Sequence, residues 1–276
     1  MMAKSKTFIL MTGLVLIFMF FGNLTAGEQG MKMALLIALG LNFFSYFFSD
    51  KLVLKHYKAI EVNEIKNPTL YGIVKKLTSK AGLPMPKVYI IPDNVPNAFA
   101  TGRDPKHAAV AATQGLMKIL SNEEIEGVMA HELSHIRHYD ILTGTIAATF
   151  AGAISCLANL TRSGGNSRQR NNGALAIILM PIAAAIIQMS ISREREYKAD
   201  EGSALLTEHP EWLASALQKL EDAANGNMLN GATSQTSHMF IVNPFGLSKL
   251  FSTHPSTQDR IKRLREIAQT IRKQLS

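Results

Sequence analysis

The sequence predicts a mainly helical α+β protein, integral to a membrane, with about four transmembrane helices and a cytoplasmic domain. Three observations carry this. Apolar residues gather in blocks, charged residues fall between the blocks, and the polar blocks mix helical with strand periodicity. Four uncharged stretches stand out, at 7–27, 33–49, 141–160 and 173–192. Each approaches the ~20 residues that cross ~30 Å of hydrocarbon at a rise of ~1.5 Å per residue. The second is short, and Pro181 and Gln188 interrupt the fourth.

A cleaved signal would share the Lys4 and Lys6 that precede the first stretch. Its apolar run is long, however, a second run follows within a few residues, and no small-x-small site is evident near Ala26, so a retained helical hairpin is expected. Lys4 and Lys6 lie before that hairpin, Lys51, Lys55 and Lys58 lie after it, and only Glu28 and Lys32 lie between. The positive-inside rule places both ends in the cytoplasm. The expected organisation is then a hairpin over 1–50, a first cytoplasmic part over 51–140, a second apolar hairpin over 141–192 and a second cytoplasmic part over 193–276.

Net charge is +8, yet Lys and Arg are spread along the chain with no basic patch interleaved with aromatics. This argues against a nucleic-acid partner and for solvated faces and membrane flanks. Cys156 is the single cysteine, so an intrachain disulfide is impossible and the soluble part suits a reducing compartment.

Within the first cytoplasmic part, 68–81 reads as a helix and 87–91 and 108–112 as short strands. Ser121-Asn122-Glu123-Glu124 reads as a capping box, with Ile125, Val128, Met129 and Ile136 following at helical spacing. After 192 come helical runs to 206 and over 210–224, then a Gly/Asn/Ser/Thr-rich loop over 225–237. A basic amphipathic helix over 255–273 closes the chain, with Pro255 suited to its first turn.

The capped helix carries His131-Glu132-Leu133-Ser134-His135. Four-residue spacing stacks both imidazoles on one helix face, where they can grip one metal ion, with Glu132 placed as a general base. These are the parts of metal-assisted hydrolysis at neutral pH. A surface helix with two histidines is the bland alternative. A catalytic zinc takes three protein ligands and a water, so one ligand must come from elsewhere. The candidates lie in Arg193-Glu194-Arg195-Glu196-Tyr197-Lys198-Ala199-Asp200-Glu201. Glu196 with Asp200, or Glu194 with Glu201, could supply a ligand and a carboxylate that orients a histidine, and spacing does not choose between the pairs.

Ligands on one metal must share a side of the membrane, so 141–192 crosses twice or not at all. Arg162, Arg168 and Arg170 in the connecting loop oppose crossing by the positive-inside rule; two crossings are expected nonetheless. A helix continuing from His135 to residue 141 would cover ~9 Å, which places the metal near the cytoplasmic membrane surface.

Taken together, these segments resemble the HtpX family of bacterial membrane zinc endopeptidases, relatives of the CAAX prenyl proteases. The likeness spans nearly the whole chain: the apolar pairs, Pro96-Asn97-Ala98-Phe99-Ala100-Thr101-Gly102, the paired histidines, Glu196-Tyr197-Lys198-Ala199-Asp200, and Phe251-Ser252-Thr253-His254-Pro255 with Arg260. It implies a zincin-like catalytic domain holding one Zn2+ per chain through His131, His135 and Glu196. It further implies Glu132 as base, Asp200 bonded to a ligand histidine, His254 as a stabiliser of the oxyanion and Arg260 as a support of the cleft. Asn97, Ala98 and Phe99 would lie beside the cleft, where an extended substrate adds as a strand. Misfolded or damaged membrane proteins and unfolded polypeptides are the implied substrates, at the cytoplasmic face of a bacterial inner membrane. A narrow-specificity processing peptidase and a zinc-binding membrane scaffold without turnover are the competing readings; an intact Glu132 speaks against the scaffold.

Overall fold

The computed structural model describes residues 2–146, 193–225 and 255–275. Most of the second apolar pair, nearly all of the Gly/Asn/Ser/Thr-rich loop, and His254 lie outside the described residues. The chain divides into two compact units, residues 1–52 with 142–190 and residues 53–141 with 191–276.

The first unit is built on α1, Met2–His56, whose helical path breaks at Ala26 and Gly27. Gly27 takes φ 59° and ψ −146°, a region closed to residues with a Cβ. Asn42 Nδ2 donates to the Met11 carbonyl at 3.1 Å, so the two arms run antiparallel about the break. Both arms, Thr7–Leu24 and Ala26–His56, are long and apolar enough to cross a membrane. The second apolar stretch is therefore less short than its uncharged core suggests. Phe8, Leu16, Phe20, Leu24 and Phe43 are each more than 60% exposed, whereas the core helix of a soluble protein would bury such side chains. A hydroxyl pair, Thr7 with Thr143 at 2.9 Å, supplies one polar contact between helices in this unit.

The second unit contains a four-stranded sheet, β1 Ile60–Val62, β2 Lys87–Ile91, β3 Ala98–Gly102 and β4 Ala108–Thr113, in the order β1-β2-β4-β3. Only β2 and β4 are parallel. Successive side chains alternate faces: Val88, Ala98, Val110 and Ala112 point to the main core, while Phe99, Ala109 and Ala111 pack with Leu54 and Tyr57, which belong to this unit. Covered on both faces, β4 is buried at every position and reads as an apolar run rather than an alternation.

The further α-helices that surround the site are α2 Pro68–Ala81, α3 Gln114–Ile119, α4 Asn122–Arg137, α5 Arg193–Thr207, α6 Pro210–Asn225 and α7 Thr257–Leu275. At the centre lies α4, in contact with α2, β3, α5 and α6 and buried at 12 of its positions. Gly202 of α5 meets α4 so closely that a Cβ there would collide with the Ser134 hydroxyl. That approach brings the charged start of α5 beside the histidines.

Two boundaries differ from the sequence reading. Tyr139 adopts φ 62°, which stops α4 at Arg137, and a new helix starts at Asp140 instead of continuing to residue 141. Ser256, not Pro255, opens α7: its hydroxyl accepts the Asp259 N–H at 3.1 Å, leaving Pro255 ahead of the cap.

The capping box at Ser121 and Glu124 is formed in full. Glu124 also accepts hydrogen bonds from Ser215 Oγ at 2.7 Å and Lys219 Nζ at 2.8 Å, tying α4 to α6. Burial alone would raise its carboxyl pKa, but the bonds from Lys219, the Ser121 N–H and Ser215 outweigh burial and hold it below the ordinary value. A carboxyl depressed by folding stabilises above its unfolded pKa of about 4.3, and that stabilisation disappears as pH falls through the folded value. Glu124→Gln should therefore cost roughly 1–3 kcal/mol at pH 7 and progressively less in acid, as read by denaturant unfolding in detergent. A pH-independent difference would contradict this.

Candidate metal centre

Residues on α4 and α5 converge on one point. The Nε2 atoms of His131 and His135 lie 3.2 Å apart. Glu196 Oε2 stands 3.7 Å from the first and Oε1 3.6 Å from the second. Among the described residues, these three form a cluster whose ligand atoms all fall within 4.8 Å of one another. A tetrahedral ion with bonds of ~2.0–2.1 Å has ligand–ligand edges of about 3.4 Å, so this donor triangle fits zinc in size and in chemistry, two imidazoles and a carboxylate. Of the two pairs that spacing leaves open, Glu196 and Asp200 are the pair buried at the histidines.

Each imidazole has a carboxylate at its outer nitrogen. Asp200 Oδ1 lies 3.0 Å from His131 Nδ1, and Asp140 Oδ2 lies 3.4 Å from His135 Nδ1. Such contacts favour a proton on Nδ1, with Nε2 directed toward the other histidine and Glu196. Behind Asp200, Arg260 of α7 donates from Nη2 at 2.6 Å and from Nε at 2.9 Å. Both side chains are sealed, at 2% and 1% exposure. Burial would raise the Asp200 carboxyl, but Arg260 and His131 hold it below the usual carboxylate range. Burial would lower the Arg260 guanidinium, and the carboxylates facing it, Asp200 foremost, push it up instead.

Burial pushes Glu132 up, and Glu196 adds to that against the pull of the two histidines. His135 would be lowered by burial, yet Asp140, Glu196 and Glu132 together raise it to about 9. The pocket thus concentrates negative charge around two imidazoles, a field that attracts a cation.

Glu132 Oε2 accepts the Ala100 N–H at 2.7 Å. That amide belongs to β3, the edge strand, so the free side of the sheet reaches the carboxylate. In the register of β3 on β4, with Thr113 N–H on the Asn97 carbonyl, Ala98 and Ala100 direct their backbone groups outward and Phe99 inward. Asn97 and Phe99 are buried, and Ala98 lies between them.

A model of peptidase family M48 matches residues 64–268. The chain belongs to peptidase family M48. Within that family it resembles curated proteins named "Protease HtpX homolog" along essentially its whole length. The Campylobacter hominis relative is 61% identical, covering 98% of this chain and all of the relative. The Sulfurovum relative is 56% identical over 95% of this chain and 99% of the relative, and that of Ralstonia pickettii 52% over 96% of each. Among solved structures, Ste24p of S. mikatae shares the fold at a TM-score of 0.54 and 19% identity, over 95% of this chain. The chain spans 65% of that structure's length. This M48 member is a metallopeptidase, and the metal that the family implies has a fitting donor set in His131, His135 and Glu196.

Two features of the centre escape the sequence reading. Asp140 follows His135 by five residues, a spacing that on a continuous helix points away from it; the left-handed turn at Tyr139 folds it back. The Ala100 amide has no side-chain signal at all.

Arg260 compensates a carboxylate that has no solvent, so Arg260→Met should destabilise the protein by roughly 3–5 kcal/mol, more than Asp200→Asn, by denaturant unfolding. A loss under about 1 kcal/mol in Arg260→Met would show that the pair is solvated.

Proposed function

We propose that this protein is a membrane-bound zinc endopeptidase that cleaves misfolded or damaged membrane proteins at the cytoplasmic membrane surface. The observation that carries the reading is the convergence of His131, His135 and Glu196 with a buried glutamate, Glu132, next to them and an edge strand beside it.

His131, His135 and Glu196 hold the ion. When bound, zinc would lower the pKa of a coordinated water toward ~7 and polarise the scissile carbonyl. Glu132 takes the proton from the attacking water and returns it to the departing amine nitrogen. Asp200 and Arg260 fix His131 from behind. His254 donates to the developing oxyanion.

An extended substrate adds to the outer edge of β3 along Asn97, Ala98 and Phe99, using the outward backbone groups of Ala98. At Ala100 the substrate competes with Glu132 for one N–H, so binding releases the carboxylate that the reaction needs. Strand addition reads backbone rather than side chains and requires an unfolded segment. That selects damaged chains without a sequence-specific pocket.

Four spans place this chemistry on one side of the membrane. Ile141 follows His135 by six positions, at most about 22 Å of chain, which supports a site close to the bilayer. Lys51, Lys55 and Lys58 at the end of the first hairpin support a cytoplasmic side for it.

Glu132→Gln should bind zinc with unchanged stoichiometry and lose roughly 10²–10⁴-fold in casein cleavage. Full activity in that variant removes Glu132 from the reaction; loss of zinc makes it a structural residue. In sealed, right-side-out vesicles, protease added outside should cut the loop at 162–172. Protection of that loop from outside and cleavage from inside would replace four spans with two.

A further inference from the structure

We propose that Asp140 is a positioning residue for His135, anchored by Arg195, and that this pair holds the imidazole in register for the metal. The inference rests on the reading of His135 as a ligand. Asp140 reaches His135 Nδ1 with one oxygen at 3.4 Å and Arg195 Nη1 with the other at 3.4 Å. Its side chain is 8% exposed and that of Arg195 17%.

A ligand imidazole held through one nitrogen can still swing about its side-chain bonds, and a carboxylate at the other nitrogen stops that motion. His131 has Asp200 in this place, with Arg260 behind the carboxylate. His135 shows the same sequence of groups: imidazole, Asp140, arginine. The contacts are longer here, and His135 is the more open of the two, 16% exposed against 2%. The outer ligand therefore depends on a looser brace.

The backbone is shaped for this contact. Tyr139 sits at φ 62°, unfavourable for a residue with a Cβ, and only that turn returns Asp140 to a histidine five positions earlier. Asp140 also starts the helix that follows, where a carboxylate is favoured.

Chain position gives the brace a second consequence. Asp140 immediately precedes the third apolar stretch, and Arg195 stands three residues after the fourth ends. Their contact ties the residue before the third apolar stretch to the start of α5 within the second unit.

The test uses the full chain in detergent, carrying Glu132→Gln so that self-cleavage does not consume it. Zinc affinity is read by competition with a chromophoric chelator, and the visible spectrum is recorded with cobalt in place of zinc. Asp140→Ala should weaken zinc about 10–100-fold and shift the cobalt bands. Asp140→Asn keeps shape and an acceptor oxygen; it should melt with its parent when metal-free and lose less affinity. Arg195→Met should shift the bands in the same direction. Loss of zinc in His135→Ala together with unchanged affinity and spectra in Asp140→Ala, Asp140→Asn and Arg195→Met overturns the proposal alone. Unchanged affinity in His135→Ala overturns the ligand reading, and the proposal with it.

Discussion

Asp200 and Arg260 form an ion pair sealed from solvent, and such a pair is tolerable only while both members are present and their remaining bonding capacity is filled. Arg260 fills Asp200 with two hydrogen bonds, and the oxygen that takes the shorter one also contacts His131. Three helices meet in that contact, α4 through His131, α5 through Asp200 and α7 through Arg260. The arrangement of the second unit around the centre follows from it: α5 cannot shift without unpairing a buried carboxylate, and Glu196 lies one helical turn before Asp200 on the same face. The pair thus fixes the position of the third donor as well as the tautomer of the first.

Charge is distributed in layers around the donors. Glu132 and Glu196 face the imidazoles, Asp140 and Asp200 stand behind them, and Arg195 and Arg260 stand behind those. The outer arginines reverse the sign of the carboxylates inside them. Arg260 and His131 hold the Asp200 carboxyl down, while burial pushes that of Glu132 up. Two kinds of carboxylate therefore coexist within a few ångströms, and the difference between them comes from what stands behind each one.

Much of this was legible in the residues. The capping box announced α4, four-residue spacing put His131 and His135 on one face, and the uncharged runs marked the first hairpin, because each of these signals is local and periodic. That Glu196 rather than Glu194 faces the histidines was not legible from spacing, since both lie on a charged helix; it depends on Gly202 letting α5 approach α4 from one side. The strands were partly hidden. Ala98–Gly102 lacks the alternation of a half-exposed strand because both of its faces are covered. Asp140 was hidden by backbone geometry, as a tyrosine in the left-handed region carries no signal in sequence.

The central claim is that two imidazoles and one carboxylate on α4 and α5 bind a single zinc ion. X-ray absorption at the zinc edge of the full-length protein, loaded with one equivalent, tests it most directly. The account predicts a first shell of nitrogen and oxygen at ~2.0–2.2 Å with the outer-shell scattering of two imidazoles, falling to one in His135→Ala. A spectrum without imidazole scattering, or one unchanged by His135→Ala, would contradict it.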